Sequence, residues 1–405
     1  MKYSKFNYVQ LLSWLKNTAL FTLIIVFGCQ AQDNNSKEIK LQTGAEQIDL
    51  YIDNLKDKNV AIVANQTSVI SKKISSYTHL VDSLLALDVN IKKVFAPEHG
   101  FRGQADAGEI INNSIDKKTG LPIISLYGKH KKPTPEDLEG IDVVVFDIQD
   151  VGVRFYTYIS TLHYVMEACS EQNIKVIVFD RPNPNRHYVD GPILEIQHKS
   201  FVGMHPVPVV YGMTIGEYAQ MINGENWLAN NLKCDLEVVP LKNYNPNGLY
   251  ELHIKSSPNL PNSKSINLYP SLCFFEGTNV NAGRGTDFQF QIFGSPYLDN
   301  DIYDFEFTPT SNSGSKYPKH QGETCYGSDL REAEYLDTIN LEWLINAYQL
   351  TSNQNDFFNS FFIKLAGTGS LQKQIESGLS AKQIRASWQL GLNKFQQTRK
   401  QYLIY

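Results

Sequence analysis

The sequence predicts an α/β fold, a Rossmann-like three-layer domain on a parallel sheet, followed by a smaller α+β domain. Two observations predict it. First, short β-branched apolar runs recur and each stops on polar residues. Val60-Ala61-Ile62-Val63-Ala64 runs into Asn65-Gln66-Thr67, Ile91, Val94, Phe95 and Ala96 precede Pro97-Glu98-His99, Val143 to Phe146 runs into Asp147-Ile148-Gln149-Asp150, and Val176 to Phe179 into Asp180-Arg181-Pro182-Asn183. Runs this short and this apolar suit strands buried on both faces. Second, helical spacing lies between them, with Leu80, Leu84, Leu85 and Leu87 after the first run and Leu162, Val165, Met166 and Cys169 after the third. Strand and helix in alternation is the order of right-handed βαβ units.

In an open α/β sheet ligands bind beyond the carboxyl ends of the strands. Asn65, Glu98, Asp147 with Gln149 and Asp150, and Asp180 with Asn183 are therefore expected along one sheet edge. The loop Pro97-Glu98-His99-Gly100-Phe101-Arg102-Gly103 is the densest, releasing a carboxylate, an imidazole and a guanidinium between glycines. The plainer alternative is that Glu98 and Arg102 pair across a turn. Asp150-Val151-Gly152-Val153-Arg154-Phe155-Tyr156-Thr157-Tyr158 is similar in kind, placing Arg154 and Tyr156 where a helix begins. There the alternative is that the tyrosines pack in the core and Arg154 neutralises Asp150.

Thr214-Ile215-Gly216-Glu217 is a capping box that predicts a helix over 215–230, and 234–240 reads as a further strand. Ser256-Ser257-Pro258-Asn259-Leu260-Pro261-Asn262 breaks regular structure, so the boundary falls near residue 265, giving domains over 47–265 and 266–405. The second domain opens on Phe275-Glu276-Gly277-Thr278-Asn279-Val280-Asn281-Ala282-Gly283-Arg284-Gly285-Thr286. Its glycines permit tight turns, while Glu276, Asn279, Arg284 and Thr286 supply a carboxylate, an amide, a fork of donors and a hydroxyl. Short strands are expected around 288–293, and Ser380 with Gln383 caps a final helix.

A length of 405 residues with 42% hydrophobic content supports ordinary globular cores. A net charge of −5 leaves no basic footprint for nucleic acid, whereas 12% aromatic content leaves rings for stacking on sugars. The amino terminus carries Lys2, Lys5 and Lys16 before the apolar run 19–27, which is too short for a comfortable membrane span. Val26-Phe27-Gly28-Cys29 resembles a bacterial lipobox. The expectation is a signal peptide over 1–28, a lipidated Cys29, and a polar tether to residue 46 that holds the protein on a membrane of the cell envelope, facing the periplasm or exterior. Cys169, Cys234, Cys273 and Cys325 show neither CxxC pairing nor metal-ligand spacing, and no P-loop or GxGxxG follows a strand. No metal and no cofactor is expected. The oligomeric state is left open.

Taken together, Pro97-Glu98-His99-Gly100-Phe101-Arg102-Gly103, Phe146-Asp147-Ile148-Gln149-Asp150-Val151-Gly152, Arg154-Phe155-Tyr156-Thr157-Tyr158, Asp180-Arg181-Pro182-Asn183-Pro184 and the 275–286 cluster resemble the NamZ family of exo-β-N-acetylmuramidases. The likeness runs from about residue 47 to the carboxyl terminus, and the chain departs from common family sequences mainly in its lipobox. The resemblance implies a Rossmann-like domain and a smaller domain with a cleft between them. It also implies removal of terminal N-acetylmuramic acid from the non-reducing end of peptidoglycan fragments, with Glu98 as the leading catalytic residue.

The residues themselves agree with that chemistry. Glycoside cleavage commonly uses one carboxylic acid to protonate the leaving oxygen and a second group to activate water or attack the anomeric carbon. Glu98 is the expected acid, with Asp150, Asp147 or Glu276 as the second group. Inversion, retention and substrate assistance all stay open. N-acetylmuramic acid carries a lactyl carboxylate, for which an Arg fork is the apt reader. Arg284 is favoured, with Arg102, Arg154 and Arg181 as alternatives. Asn65, His99, Gln149, Tyr156, Asp180, Asn183, Asn279 and Thr286 complete the expected binding set. Two readings from other classes compete: a lipid-anchored sugar-binding protein without turnover, and a metal-dependent hydrolase using Asp147, Asp150, Glu98 and His99.

Overall fold

The computed structural model describes residues 40–73, 76–102 and 113–405. The expected signal peptide, Cys29 and most of the tether lie outside the described residues. Residues Leu41 to Tyr405 form one compact unit.

Its centre is a sheet of seven strands, β1 (Val60–Ala64), β4 (Ile91–Ala96), β5 (Ser114–Ile115), β6 (Pro122–Ser125), β7 (Val143–Asp147), β8 (Lys175–Phe179) and β9 (Leu236–Val239). The spatial order is β5-β6-β4-β1-β7-β8-β9. All neighbours run parallel except the edge pair β5 and β6. The helices Leu80–Leu85, Tyr158–Glu171 and Ile215–Gly224 form crossovers between parallel strands, as the alternation predicts. Strand register places Val63 opposite both Phe95 and Phe146, and Phe146 opposite Val178. The strand tips are therefore level, and Asn65, Glu98, Asp147 and Asp180 leave the sheet at one edge.

Side chains alternate across the strands, so one sheet feeds two cores. Val60, Ile62, Val94, Val145 and Ile177 pack with Leu80 and Leu84 on one face. Ala61, Val63, Phe95, Val144 and Val178 pack with Leu162, Met166 and Cys169 on the other, and that core continues without a break through Phe274, Phe293, Leu344 and Trp388 of the carboxyl-terminal part. That part holds an antiparallel sheet of β10 (Ile292–Ser295), β12 (Cys325–Asp329) and β11 (Phe305–Phe307), in the order β10-β12-β11. Its final helix spans Ala381–Arg399 and begins with the Ser380/Gln383 capping box.

Two boundaries differ from the sequence reading, and four strands are additional to it. The helix expected to reach residue 230 stops at Gly224, because Asn226 turns left-handed at φ 57° and the Trp227 amide folds back onto the Ile222 carbonyl at 3.1 Å. The strand expected from residue 288 starts at Ile292, because 288–291 form a turn in which Phe290 has φ 52°. The hairpin of β2 (Val69–Lys73) and β3 (Ser76–His79), and the short strands β5 and β6, have no counterpart in the sequence reading. They are brief and partly exposed, so they lack the unbroken apolar signal of buried strands.

Candidate active site

Glu98 lies two residues past β4, in a turn closed by the Gly100 amide on the Pro97 carbonyl at 3.0 Å. His99 and Gly100 both take positive φ, 69° and 77°. The turn is anchored from behind. Arg102 makes a bidentate pair with Asp116 at 2.9 and 2.7 Å and reaches Asp82 at 3.3 Å. The Arg102 guanidinium also covers the Phe101 ring at 4.6 Å and holds the Asp116 carboxyl well below the usual carboxylate range. Arg102 thus positions the loop and does not pair with Glu98.

The Glu98 carboxylate points into a cleft. Its Oε1 accepts the Tyr127 hydroxyl at 2.9 Å and its Oε2 the Thr157 hydroxyl at 3.2 Å. The cleft has a wide part of about 610 Å3 and a small lobe of about 70 Å3, and Glu98, Phe155, Thr157, Tyr269 and Arg284 line both. Glu98 therefore sits where the two spaces meet. Glu276 and Lys319 line the wide part, and His99, Tyr156 and Asn259 the lobe.

Arg284 enters from the carboxyl-terminal part. Its Nε donates to Glu276 Oε1 at 2.8 Å, and its guanidinium lies 5.4 Å from the centre of the Phe290 ring. Both members of that pair remain about one quarter exposed, so the guanidinium is reachable from the cleft. The loop bearing them is tied down by Lys319, whose ammonium donates to the carbonyls of Phe275, Thr278 and Val280. Burial draws the Lys319 ammonium down to about 8. Gly283 and Gly285 share φ 78°, and a Cβ on Gly283 would lie 2.5 Å from the Phe288 carbonyl oxygen. Thr286 returns its hydroxyl to the Gly283 carbonyl at 2.7 Å, the Asn279 backbone N–H donates to the Phe357 carbonyl at 2.8 Å, and the Asn279 side chain donates to the Asn353 carbonyl at 3.4 Å.

The remaining strand-tip residues form a layer beneath the cleft and do not line it. Asp147 and Arg181 make a buried bidentate pair at 2.6 and 2.8 Å. Asp150 accepts the Tyr211 hydroxyl and the Gly152 amide, the latter at 2.7 Å, and burial pushes its carboxyl up to about 6. Asn65 donates to the Tyr158 hydroxyl at 2.9 Å and so sets a ring that faces the lobe. Gln149 donates to the carbonyls of Asp150 and Pro182, and Asn183 to that of Met213. Asp180 accepts from Thr214, Gly216 and Tyr405, each at 2.8 Å, joining the chain terminus to β8. Arg154 is fully buried and spends its guanidinium on the carbonyls of Pro192, Val207, Leu365 and Ala366, so it neutralises no carboxylate in its reach. Tyr156, which by contrast lines the lobe, donates to the Ser256 carbonyl at 2.8 Å.

Several lining residues carry no clear mark in the sequence. Tyr127 follows a weak strand, Thr157 and Phe155 sit beside the more conspicuous Arg154, and Tyr269 and Phe290 look like ordinary core aromatics. The only signal for Tyr127 is its place before Gly128 at the end of an apolar run. Among the described residues, no three His, Cys, Asp or Glu side chains gather into a site for a metal ion.

The fold and the site define a class: a Rossmann-like protein with an appended smaller α+β part, whose cleft pairs one half-buried strand-tip carboxylate with aromatic walls and an Arg, as suits an acidic sugar. The family model for the amino-terminal domain of the exo-β-N-acetylmuramidase NamZ matches residues 60–264, and that for its carboxyl-terminal domain matches 267–405. The chain belongs to the NamZ family. It is 36% identical to the peptidoglycan β-N-acetylmuramidase NamZ of Bacillus subtilis strain 168, an alignment covering 96% of this chain and 99% of that protein. Among solved structures, a DUF1343 family protein of Bacteroides fragilis superposes with a TM-score of 0.82 at 44% identity, covering 90% of this chain and 99% of the other. A second DUF1343 protein from the same species gives 0.77 at 29% identity, covering 91% and 99%.

Proposed function

We propose that this protein is an exo-acting glycoside hydrolase that releases N-acetylmuramic acid from the non-reducing end of peptidoglycan fragments, with Glu98 as general acid. The observation that carries the assignment to Glu98 is its place at the junction of the two spaces of the cleft, oriented by Tyr127 and Thr157 on opposite carboxyl oxygens. A proton on either oxygen is then delivered along a defined direction, which is what general acid catalysis requires of geometry. Of the four carboxylates singled out in the sequence, Glu98 and Glu276 line the wide cleft. Glu276 is thus the proposed second group, its charge balanced by Arg284.

Arg284 is proposed to read the lactyl carboxylate, because its guanidinium is committed to Glu276 through Nε and keeps further donors for a ligand. Cys29 is proposed as the lipidated first residue of the mature chain, on the strength of the short apolar run that ends in Val26-Phe27-Gly28-Cys29. The body of the enzyme then stands off the envelope membrane on its tether.

The test is direct. The soluble chain from residue 41 is incubated with the disaccharide N-acetylmuramyl-β-1,4-N-acetylglucosamine, with and without a chelator. Release of both free sugars, unchanged by the chelator, is the expected result. Binding without release would make the protein a sugar-binding module, and loss of release with chelator would make it a metal-dependent hydrolase.

A further inference from the structure

We propose that Lys319 is the positioning residue of the Glu276–Arg284 wall of the cleft and works as a proton-controlled latch: its ammonium holds the 275–280 turn, and loss of that proton frees the turn and ends catalysis. The part that concerns catalysis rests on the muramidase reading above.

The latch follows from a count of donors. The carbonyls of Phe275, Thr278 and Val280 converge on one atom, Lys319 Nζ, at 2.9 Å for Phe275 and 2.8 Å for Val280. Three oxygens turned toward one point repel each other unless a group between them donates to each. An ammonium has three N–H donors and no acceptor, so it satisfies all three. A neutral amine has two N–H groups and a lone pair, and a water molecule has two donors, so either leaves one oxygen unsatisfied. A carbonyl left in that condition in an enclosed place costs free energy, and the turn relieves it by moving.

The surrounding charges leave the proton on a fine balance. Among the described residues no carboxylate lies within salt-bridge distance of Lys319. Glu276, whose charge favours the ammonium, is itself paired with Arg284 at 2.8 Å, and Arg284 opposes it. Carbonyl dipoles therefore hold the charge, and burial sets it at about 8. Tyr269 and Cys273 before the turn, and Tyr127 on the opposite wall, are pushed up by burial and stay neutral there, while the Arg284 guanidinium stays charged. Glu98 lines the same cleft, Lys316 and Tyr317 precede Lys319 on its rim, and His320 with Glu323 follows it, His320 Nε2 lying on the Asn279 carbonyl at 2.6 Å.

The latch sits where it controls the site. Lys319 lines the wide part of the cleft, so protons reach it from solvent. Its own carbonyl accepts Asn281 Nδ2 at 2.7 Å, and the Thr310 N–H on the Gly285 carbonyl at 2.8 Å ties the rest of its segment to the same loop. Glu276 lies inside the held turn and Arg284 just beyond it, so a loosened turn moves the second carboxylate relative to Glu98. A displacement of about 1 Å at a reacting group costs on the order of 100-fold in rate.

The experiment reads the turn and the chemistry separately. Amide hydrogen exchange by mass spectrometry, corrected for its intrinsic pH dependence, is followed in ligand-free wild type and Lys319→Arg from about pH 6.5 to about pH 9.5. In wild type the protection of peptide 275–286, where the Asn279 and Asn281 N–H groups bind the Phe357 and Gly294 carbonyls, is expected to fall at least about ten-fold above about pH 8, while that of strand 143–147 holds. Lys319→Arg stays charged throughout and should keep its protection. Wild-type protection that does not change with pH overturns the latch, with or without a folded variant, and so does an equal fall in Lys319→Arg. In the same series kcat on 4-methylumbelliferyl N-acetyl-β-muramide should fall about ten-fold per pH unit above about pH 8, with that limb moved up by at least about one unit in Lys319→Arg. Lys319→Met should lose about 100-fold in kcat at neutral pH with KM changed less than about three-fold. A limb that stays in place in Lys319→Arg overturns the control of catalysis and leaves the muramidase reading standing. If wild type cleaves no substrate at any pH, the muramidase reading falls, and the exchange series alone decides the latch.

Discussion

Tyr127 donates its hydroxyl to Glu98 Oε1 at 2.9 Å, joining the residues that follow two adjacent parallel strands, β6 and β4. Neither residue could set the orientation of the carboxylate alone. A Glu side chain has three rotatable torsions, and the Tyr hydroxyl on one oxygen with the Thr157 hydroxyl on the other restricts them to one aim. Tyr127→Phe is therefore expected to lower kcat about ten-fold, the scale of one hydrogen bond to an ionisable group, with KM changed less than about three-fold. A change confined to KM would move Tyr127 from orienting Glu98 to binding sugar.

Glu98→Gln keeps shape and hydrogen-bonding reach but cannot release a carboxylic proton. Cleavage of the natural disaccharide should fall at least about 100-fold while binding persists. An aryl glycoside with a very acidic phenol needs little protonation and should suffer less. Equal losses on both substrates in a folded variant would assign Glu98 to nucleophile, base or positioning group.

Arg284→Ala should reduce activity on muramic substrates by roughly ten- to a hundred-fold, the worth of a charge-assisted contact of about 1.5–3 kcal/mol. Residual activity on N-acetylglucosaminides should change far less. Because Arg284 also balances Glu276 at 2.8 Å, the variant's melting temperature must be recorded beside its kinetics. Parallel loss on both sugars at unchanged stability would point to Glu276, and not the lactyl group, as the partner that matters.

Asp150 yields a stability prediction with a definite sign. Burial pushes its carboxyl from 3.8 up to about 6, against the hydrogen bonds from Tyr211 and Gly152. Between those values the folded state keeps a proton that the unfolded chain has lost, so stability falls as pH rises from about 4 to about 6 and stays lower above. Asn fits the site, with its oxygen toward Tyr211 and Gly152 and its NH2 on the side of the unpartnered Oδ1. Asp150→Asn is expected to gain stability over wild type by ~2 kcal/mol more at pH 7.5 than at pH 4.5, read by urea unfolding. A pH-independent difference would show that Asp150 titrates alike in both states.

Cys29→Ser should release the protein from membranes or leave the precursor unprocessed, since stable anchoring of a lipoprotein depends on acyl chains attached to that thiol. Unchanged fractionation and unchanged processing of the variant would remove the lipobox reading.

The parallel sheet was legible in the sequence because strands buried on both faces must be apolar along their buried length, as β1 is throughout, β7 is from Val143 to Phe146 and β8 is from Val176 to Phe179. Their polar ends were legible for the same reason: an abrupt Asn, Glu or Asp after such a run has to lie at a strand tip. The sequence by itself determined that Asn65, Glu98, Asp147 and Asp180 share one edge, and that a Gly-rich loop carries Glu276 and Arg284. Only the tertiary structure decided which of these polar groups consume one another. Asp147 is taken by Arg181, Asp150 by Tyr211, Arg102 by Asp116 and Arg154 by four carbonyls, while Glu98 faces the cleft between two hydroxyls. Composition and spacing record that a charge is present; whether it is neutralised depends on partners from 14 to more than 200 residues away, which only the packed chain brings within hydrogen-bond distance.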